Sequence, residues 1–237
     1  MSTGVAVTSQ ETDLFDLGRA AEAATRAATG GRGFFSCWRR LLPSGLWQGP
    51  ASAASASVDE ADLADLGGLA AAATAGANTF IATSLPMLTE ATGRGLRGLL
   101  RLFLSAEEPV EQRERRLLAL AQQVREGLVL DGVVPTPEDD CMGLATLMLV
   151  ARCRLALVGG PHVLVDLDRV GPKLGQLALG FGADELCGPI VETRALRLGD
   201  NAGSRAITRA EAAQLLRGAG LRAFERMAGG SLEEFAP

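Results

Sequence analysis

Apolar positions in this chain recur at two spacings, and the alternation between them outlines the fold. Residues 13–28 read as a helix, with Thr12 as a candidate N-cap and Gly30-Gly31 as its stop. Residues 30–57 show no clear period and are rich in Gly, Ser, Pro and Ala. Ser57-Val-Asp-Glu60 has the spacing of a capping box, and Leu63, Leu66, Ala70 and Ala73 follow at helical intervals up to Gly76. Residues 78–83 then form a short apolar run of strand type. A helix is expected over residues 109–126, with Leu117, Leu120, Ala121 and Val124 on one face and Arg113, Arg115 and Arg116 largely on the other.

The second half keeps the alternation. Strand-like runs fall at 129–134, 162–167, 190–194 and 221–227, and helical runs at 143–157 and 173–181, the latter stopped by Gly182. Thr208-Arg-Ala-Glu211 is a second capping-box sequence and opens a helix to about Gly218. Strands alternating with helices of ten to fifteen residues imply an α/β protein whose parallel sheet is covered by helices. About five strands are visible, too few for an eight-stranded barrel. The expected architecture is an incomplete or degenerate (β/α) TIM-type barrel or a curved open sheet. It divides into residues 1–57, a helix with an irregular stretch, and residues 58–237, the partial barrel.

Composition narrows the function classes. At 237 residues, 47% hydrophobic and 22% charged, the chain has the length and apolar content for a real core. Net charge is −5 with no block of like charge, which argues against nucleic acid and anionic membranes as partners. The first ten residues lack a basic start and an apolar run, and residues 144–157 are interrupted by Arg152 and Arg154. No secretory signal and no membrane span is expected. The four cysteines, at 37, 141, 153 and 187, show no CxxC spacing, so free thiols in a reducing cytoplasm are expected.

Candidate chemistry concentrates in one stretch. The only histidine, His162, and the only lysine, Lys173, both lie between residues 161 and 192. There the chain runs strand, Gly171-Pro172-Lys173 turn, helix, glycine stop and second strand. Pro172 suits a first helical turn, and the free N–H groups of that turn beside Lys173 make an anion-friendly corner at the C-terminal edge of the sheet. Asp166, Asp168 and Glu192, expected at strand ends, are placed to accept hydrogen bonds from a ribose or a base. A turn that only terminates and packs the strand–helix corner accounts for the same residues. Asp184-Glu185, next to the glycine stop, fits a solvated or capping pair better than a catalytic dyad. Asp139-Asp140 lacks the further oxygen ligands of a calcium site, and the Gly-Gly pairs at 30–31, 67–68 and 159–160 lack a dinucleotide-binding context.

This stretch resembles the radical S-adenosylmethionine (SAM) enzymes of the futalosine route to menaquinone, aminofutalosine synthase and cyclic dehypoxanthinyl futalosine synthase. The resemblance rests on Gly171-Pro172-Lys173, Gln176, Leu177-Ala178-Leu179, Phe181-Gly182-Ala183-Asp184-Glu185, Gly188 and Val191-Glu192. Cys187, Pro189 and Thr193 depart from it. Asp13-Leu-Phe-Asp-Leu-Gly18, residues 57–82, residues 108–120 and residues 207–226 resemble other parts of the family. Between Met87 and Glu107 the family would need several more strands and helices, and the sequence offers almost nothing there.

The resemblance also makes its absences informative. The family holds a four-iron, four-sulfur cluster on Cys-x3-Cys-x2-Cys after the first strand, and such ligation requires thiolates. Here Cys37 is followed by Leu41 and Ser44; the alternative register gives Thr29, Gly33 and Ser36. The family's glycine pair for SAM is replaced by Thr83-Ser84-Leu85-Pro86. The resemblance therefore implies a cluster-less relative with no cofactor, leaning away from catalysis. It would bind a nucleoside-like ligand through His162, Asp166, Asp168, Lys173, Gln176 and Glu192, or partner itself or an intact radical SAM homologue. The alternative is an enzyme acting on a futalosine-type nucleoside by acid/base chemistry through His162, Asp166 and Lys173.

Overall fold

A computed structural model describes residues 13–41, 47–48, 55–59, 66–105, 108–137, 143–188, 190–191, 206–227 and 230–236. Helix α1 (Leu14–Thr29) is followed by β1 (Arg32–Leu41), β2 (Trp47–Gln48), β3 (Ser55–Asp59), α2 (Leu66–Thr74), β4 (Thr79–Ala82), α3 (Leu85–Gly93) and β5 (Arg97–Leu104). Then come α4 (Val110–Arg125), β6 (Gly132–Pro137), α5 (Leu144–Ala156), β7 (His162–Asp166), α6 (Leu167–Leu179), β8 (Glu185–Gly188) and β9 (Ile190–Val191). The order closes with β10 (Ile207–Thr208), α7 (Arg209–Gly218), β11 (Arg222–Arg226) and β12 (Leu232–Glu234).

Strands β1, β3, β4, β5, β6, β7 and β8 pair in that order, all parallel, and β8 pairs back onto β1. Among the described residues the ladder is thus a ring of seven strands, one short of an eight-stranded barrel. The incomplete (β/α) barrel read from the sequence is the fold found. β11 adds in parallel to the first half of β1, Arg32 to Phe35, while β3 takes residues Trp38 to Arg40. β12 pairs antiparallel with β11, and β9 with β10 forms a separate parallel pair.

The registers sort side chains onto two faces, because successive residues of a strand point to opposite sides. Phe35, Cys37, Phe80, Leu100, Val133, Val163, Val165 and Leu186 face the helices and form the main core with Leu69, Leu88, Leu120, Val150 and Leu216. Trp38, Ile81, Leu99, Val134, Leu164 and Cys187 face inward and fill the middle of the lumen. Residues buried on both faces explain the near-continuous apolar runs of β4 and β7. Gly98 lets α3 rest directly on β5, since a Cβ there would run into Leu88 and Thr92.

Most helices fall where periodicity put them, and the Thr208–Glu211 capping box forms as expected. Asp13 is the N-cap of α1 and accepts from the Phe15 N–H; Thr12 lies outside the described residues. Three readings are corrected. Residues 55–59 are a strand rather than the start of a capped helix, because Ser57 and Asp59 are held in register between β1 and β4. The stretch taken as irregular contains β1, the strand on which the ring closes. The segment from 87 to 107, taken as nearly empty, supplies most of α3 and the whole of β5.

Candidate functional site

Charged side chains enter the lumen in two layers, one on each side of the apolar middle. At the N-terminal end, Glu185 of β8 is fully buried. It receives Arg97 Nη1 and Nη2 at 2.9 and 2.8 Å, and Arg226 Nη2 at 3.0 Å. The Ser36 hydroxyl of β1 also donates to it. Burial pushes the Glu185 carboxyl up, but Arg97 and Arg226 outweigh it and hold the group well below the usual carboxylate range. The same pairing raises Arg97 against the burial that opposes it.

Asp184, next in the chain, points the other way and makes a second buried cluster. Its Oδ1 accepts from the Val163 N–H at 2.7 Å, and its Oδ2 lies 2.8 Å from His162 Nδ1. Arg154 of α5, 1% exposed, stands 2.7 Å from Asp184 Oδ1 in an ionic contact whose angle is not that of a hydrogen bond. Arg154 also donates to the Gly182 carbonyl at 2.9 Å. Asp184-Glu185 is therefore a buried structural pair and not a solvated one, a correction with a plain cause. Glu185 is held in the lumen by Arg97 and Arg226, while Asp184, just before β8, is held by Arg154 of α5.

The acid dependence follows from Glu185. In an unfolded chain a glutamate titrates near about 4.3, and in the folded chain it is held well below that value. Its stabilising contribution is complete above the unfolded value and is lost as pH falls from there through the folded one. Circular dichroism during acid titration should show stability declining below about pH 4, and Glu185→Gln should flatten that decline.

At the C-terminal end the lumen carries Arg101 of β5, Thr136 of β6 and Asp166 of β7, all buried. Arg101 Nη1 lies 3.2 Å from Thr136 Oγ1 and 3.7 Å from Asp166 Oδ2, the latter an ionic contact longer than a hydrogen bond. Asp166 Oδ1 caps α6 by accepting from the Asp168 N–H at 3.1 Å. Gly188 comes so close that a Cβ would meet Asp166 Oδ1 at 3.3 Å, and its φ of 120° favours glycine. Trp38, 5% exposed on the inward face of β1, has an indole N–H that no acceptor among the described residues meets.

The six residues singled out from the sequence do not form one constellation. Asp166 and Asp168 meet at the C-terminal rim. His162 begins the same strand, four residues and roughly 13 Å away at the other end. Lys173 and Gln176 are exposed on α6, whose first turn breaks at Gly171 (φ 76°, ψ 164°) before Pro172 restarts the helix. Glu192 lies outside the described residues, as do Cys141, Asp139 and Asp140. Sequence reasoning missed Arg101 and Thr136. Their signal was faint: Arg97 and Arg101, four apart in an apolar run, lie on one face of a strand.

The thiols bear on whether these residues fit an iron–sulfur cluster. Cys37 sits in β1 facing the helix layer, its Sγ 3.6 Å from Glu225 Oε1. Cys187 faces the opposite side of the sheet, into the lumen. Cys153 is buried in α5. Burial pushes the Cys153 thiol up to about 12. Burial, with Asp166 and Glu185 nearby, pushes the Cys187 thiol well above its ordinary range. Cys187 faces the opposite side of the sheet from Cys37 and Cys153, no three His, Cys, Asp or Glu side chains among the described residues gather as a metal site, and protonated thiols are poor ligands. The described residues do not fit a three-cysteine cluster site.

No protein-family model matches the chain, and no curated protein matches it. Solved structures do. Methylornithine synthase (PylB) superposes with a TM-score of 0.61 at 14% identity, covering 90% of this chain and 90% of that one. HydG, a maturase of the [FeFe]-hydrogenase, superposes with a TM-score of 0.58 at 10% identity, covering 91% of this chain and 70% of that one. At such identities the likeness shows the fold alone, an incomplete (β/α) barrel.

Proposed function

We propose that this radical-SAM-like chain is a non-catalytic binding protein that takes a nucleoside-like ligand at the C-terminal rim of its barrel. Its setting would be menaquinone biosynthesis by the futalosine route, with a second copy or an intact radical SAM homologue as partner. One observation carries the binding reading: the rim gathers a buried arginine, a buried aspartate and a hydroxyl around one end of the lumen, and Trp38 on the inward face of β1 adds an indole N–H that no described acceptor meets. Open α/β barrels present ligands at that end, and donors together with acceptors are what a ribose or base edge requires. Asp166, Asp168, Arg101, Thr136 and Trp38 form the inner part of this site. Lys173, Gln176 and Glu192 belong to its outer rim in the reading from the sequence.

Dispersed thiols support the non-catalytic half of the proposal, and free buried thiols suit a reducing compartment such as the cytoplasm. No described helix is long and apolar enough to cross a membrane. The acid/base alternative through His162, Asp166 and Lys173 draws no support from the geometry, which spreads these residues over two ends of a strand and an exposed helix face.

Calorimetric titration with a futalosine-type nucleoside tests the binding reading. Saturable binding is expected, weakened about ten-fold by Asp166→Asn, in line with losing a charged hydrogen-bond partner. No heat of binding, or equal affinity in the variant, overturns it. Anaerobic reconstitution with iron and sulfide tests the other half. A visible four-iron absorbance that survives desalting would refute the non-catalytic reading.

A further inference from the structure

The network at the N-terminal end of the lumen contains one hydrogen bond whose direction fixes a protonation state. His162 Nδ1 lies 2.8 Å from Asp184 Oδ2, and His162 Nε2 lies 3.2 Å from Arg226 Nη2. A carboxylate here accepts, and a guanidinium can only donate. The imidazole that satisfies both neighbours is the neutral one with its proton on Nδ1. A proton on Nε2 sets donor against donor and cation against cation.

Every element packed around the ring contributes to this balance. Asp184 faces it from the turn before β8, with Arg154 of α5 behind that carboxylate. Glu185 lies beside it on β8, shared between Arg97 of β5 and Arg226 of β11. Phe34 of β1 meets the imidazole edge-on, with centroids 4.9 Å apart, and Arg226 and Arg32 lie over that same phenyl ring. Asp131, ahead of β6, accepts the His162 N–H through its carbonyl, while its carboxylate is taken by the Gly98 N–H. The arginines stay charged throughout, and Glu185 is held ionised by its two guanidinium partners. The imidazole is the group of this network whose ordinary range lies between pH 5 and 8.

Arg226 is the last residue of β11, whose other edge carries β12. Beyond β12, Phe235 packs edge-on against Phe35 of β1. We propose that His162 is a proton-controlled latch for the β11–β12 hairpin. Neutral, its Nε2 accepts from Arg226 and helps hold the hairpin against the mouth of the barrel. On taking a proton from water at Nε2, it keeps Asp184 and gives up Arg226, which retains Glu185 alone. The ring is accessible enough to exchange protons, with its side chain 30% exposed.

The chain has one histidine, so a long-range proton–nitrogen spectrum of the full ¹⁵N-labelled chain reads this imidazole without assignment. At pH 8 the Nδ1–H tautomer is expected. From pH 8 to 5, across the ordinary imidazole range, amide exchange in residues 222–226 and 232–234 should speed up about five-fold, the scale of one lost hydrogen bond. That rise should track the imidazole titration and be absent in His162→Phe, whose ring can still pack on Phe34. An Nε2–H tautomer at pH 8 overturns the proposal even if the variant does not fold. So does exchange in the hairpin that stays flat while the imidazole titrates.

Discussion

Replacing Glu185 by glutamine lowers stability by about 3 to 5 kcal/mol, the range for removing one partner of a buried ion pair. The amide keeps the shape of the side chain and loses its charge. Arg97 and Arg226, 13% and 12% exposed, then face each other across a neutral group and cannot rehydrate without leaving the lumen. Ser36 also loses its ionised acceptor. Against the 5–15 kcal/mol by which single domains are usually stable, this is a large share. Urea unfolding of both proteins at pH 7 measures it. A loss under about 1 kcal/mol, the scale of an exposed pair, would mean that the arginines already reach water. Adding Arg97→Met to Glu185→Gln should recover part of the loss, because it removes one of the two stranded cations.

Arg154→Met has the next largest effect, about 3 kcal/mol. Arg154 joins three parts of the fold: Asp184 before β8, the Gly182 carbonyl of the preceding turn and, at 3.4 Å, the Pro161 carbonyl before β7. The Gly182 carbonyl also accepts from the Thr25 hydroxyl of α1, so the turn anchors that helix as well. Methionine fills much of the volume and supplies none of these bonds. Asp184 keeps Val163 N and His162, which is why the cost stays below that at Glu185. For a chain of this length the loss corresponds to a fall of roughly 6–12 °C in Tm. Arg152, two residues earlier, provides the control. It is 26% exposed and lies 3.6 Å from Glu114, so Arg152→Met should change stability by less than about 1 kcal/mol.

The two charged layers also explain which strands escaped notice. β4 and β7 hold unbroken apolar triplets, Phe80-Ile81-Ala82 and Val163-Leu164-Val165, and stand out as runs. β1, β5 and β8 carry Ser36, Arg97, Arg101 and Glu185 on their inward faces. A polar residue at every second or fourth position breaks the apolar signal, although each is satisfied in the lumen. β3, Ser-Ala-Ser-Val-Asp, has almost no apolar pattern and exists because β1 and β4 flank it. Its Ser57 and Asp59 mimic the start of a helix in isolation. Here tertiary pairing overrides local propensity, as it commonly does for strands.

Most helix positions, the parallel α/β class, the Gly171-Pro172 turn and the Thr208 capping box were determined by the chain itself, since each depends on contacts within a few residues. So was the shortage of clustered cysteines around Cys37, which is a matter of counting. Only the tertiary structure decided that the ring closes through β1 and β8, that Asp184-Glu185 is buried between arginines from α5, β5 and β11, and that His162 and Asp166 serve opposite ends of the lumen. Those outcomes join residues up to about 150 positions apart. Which carboxylate meets which guanidinium there depends on strand register, and register is set by the packing of the whole sheet.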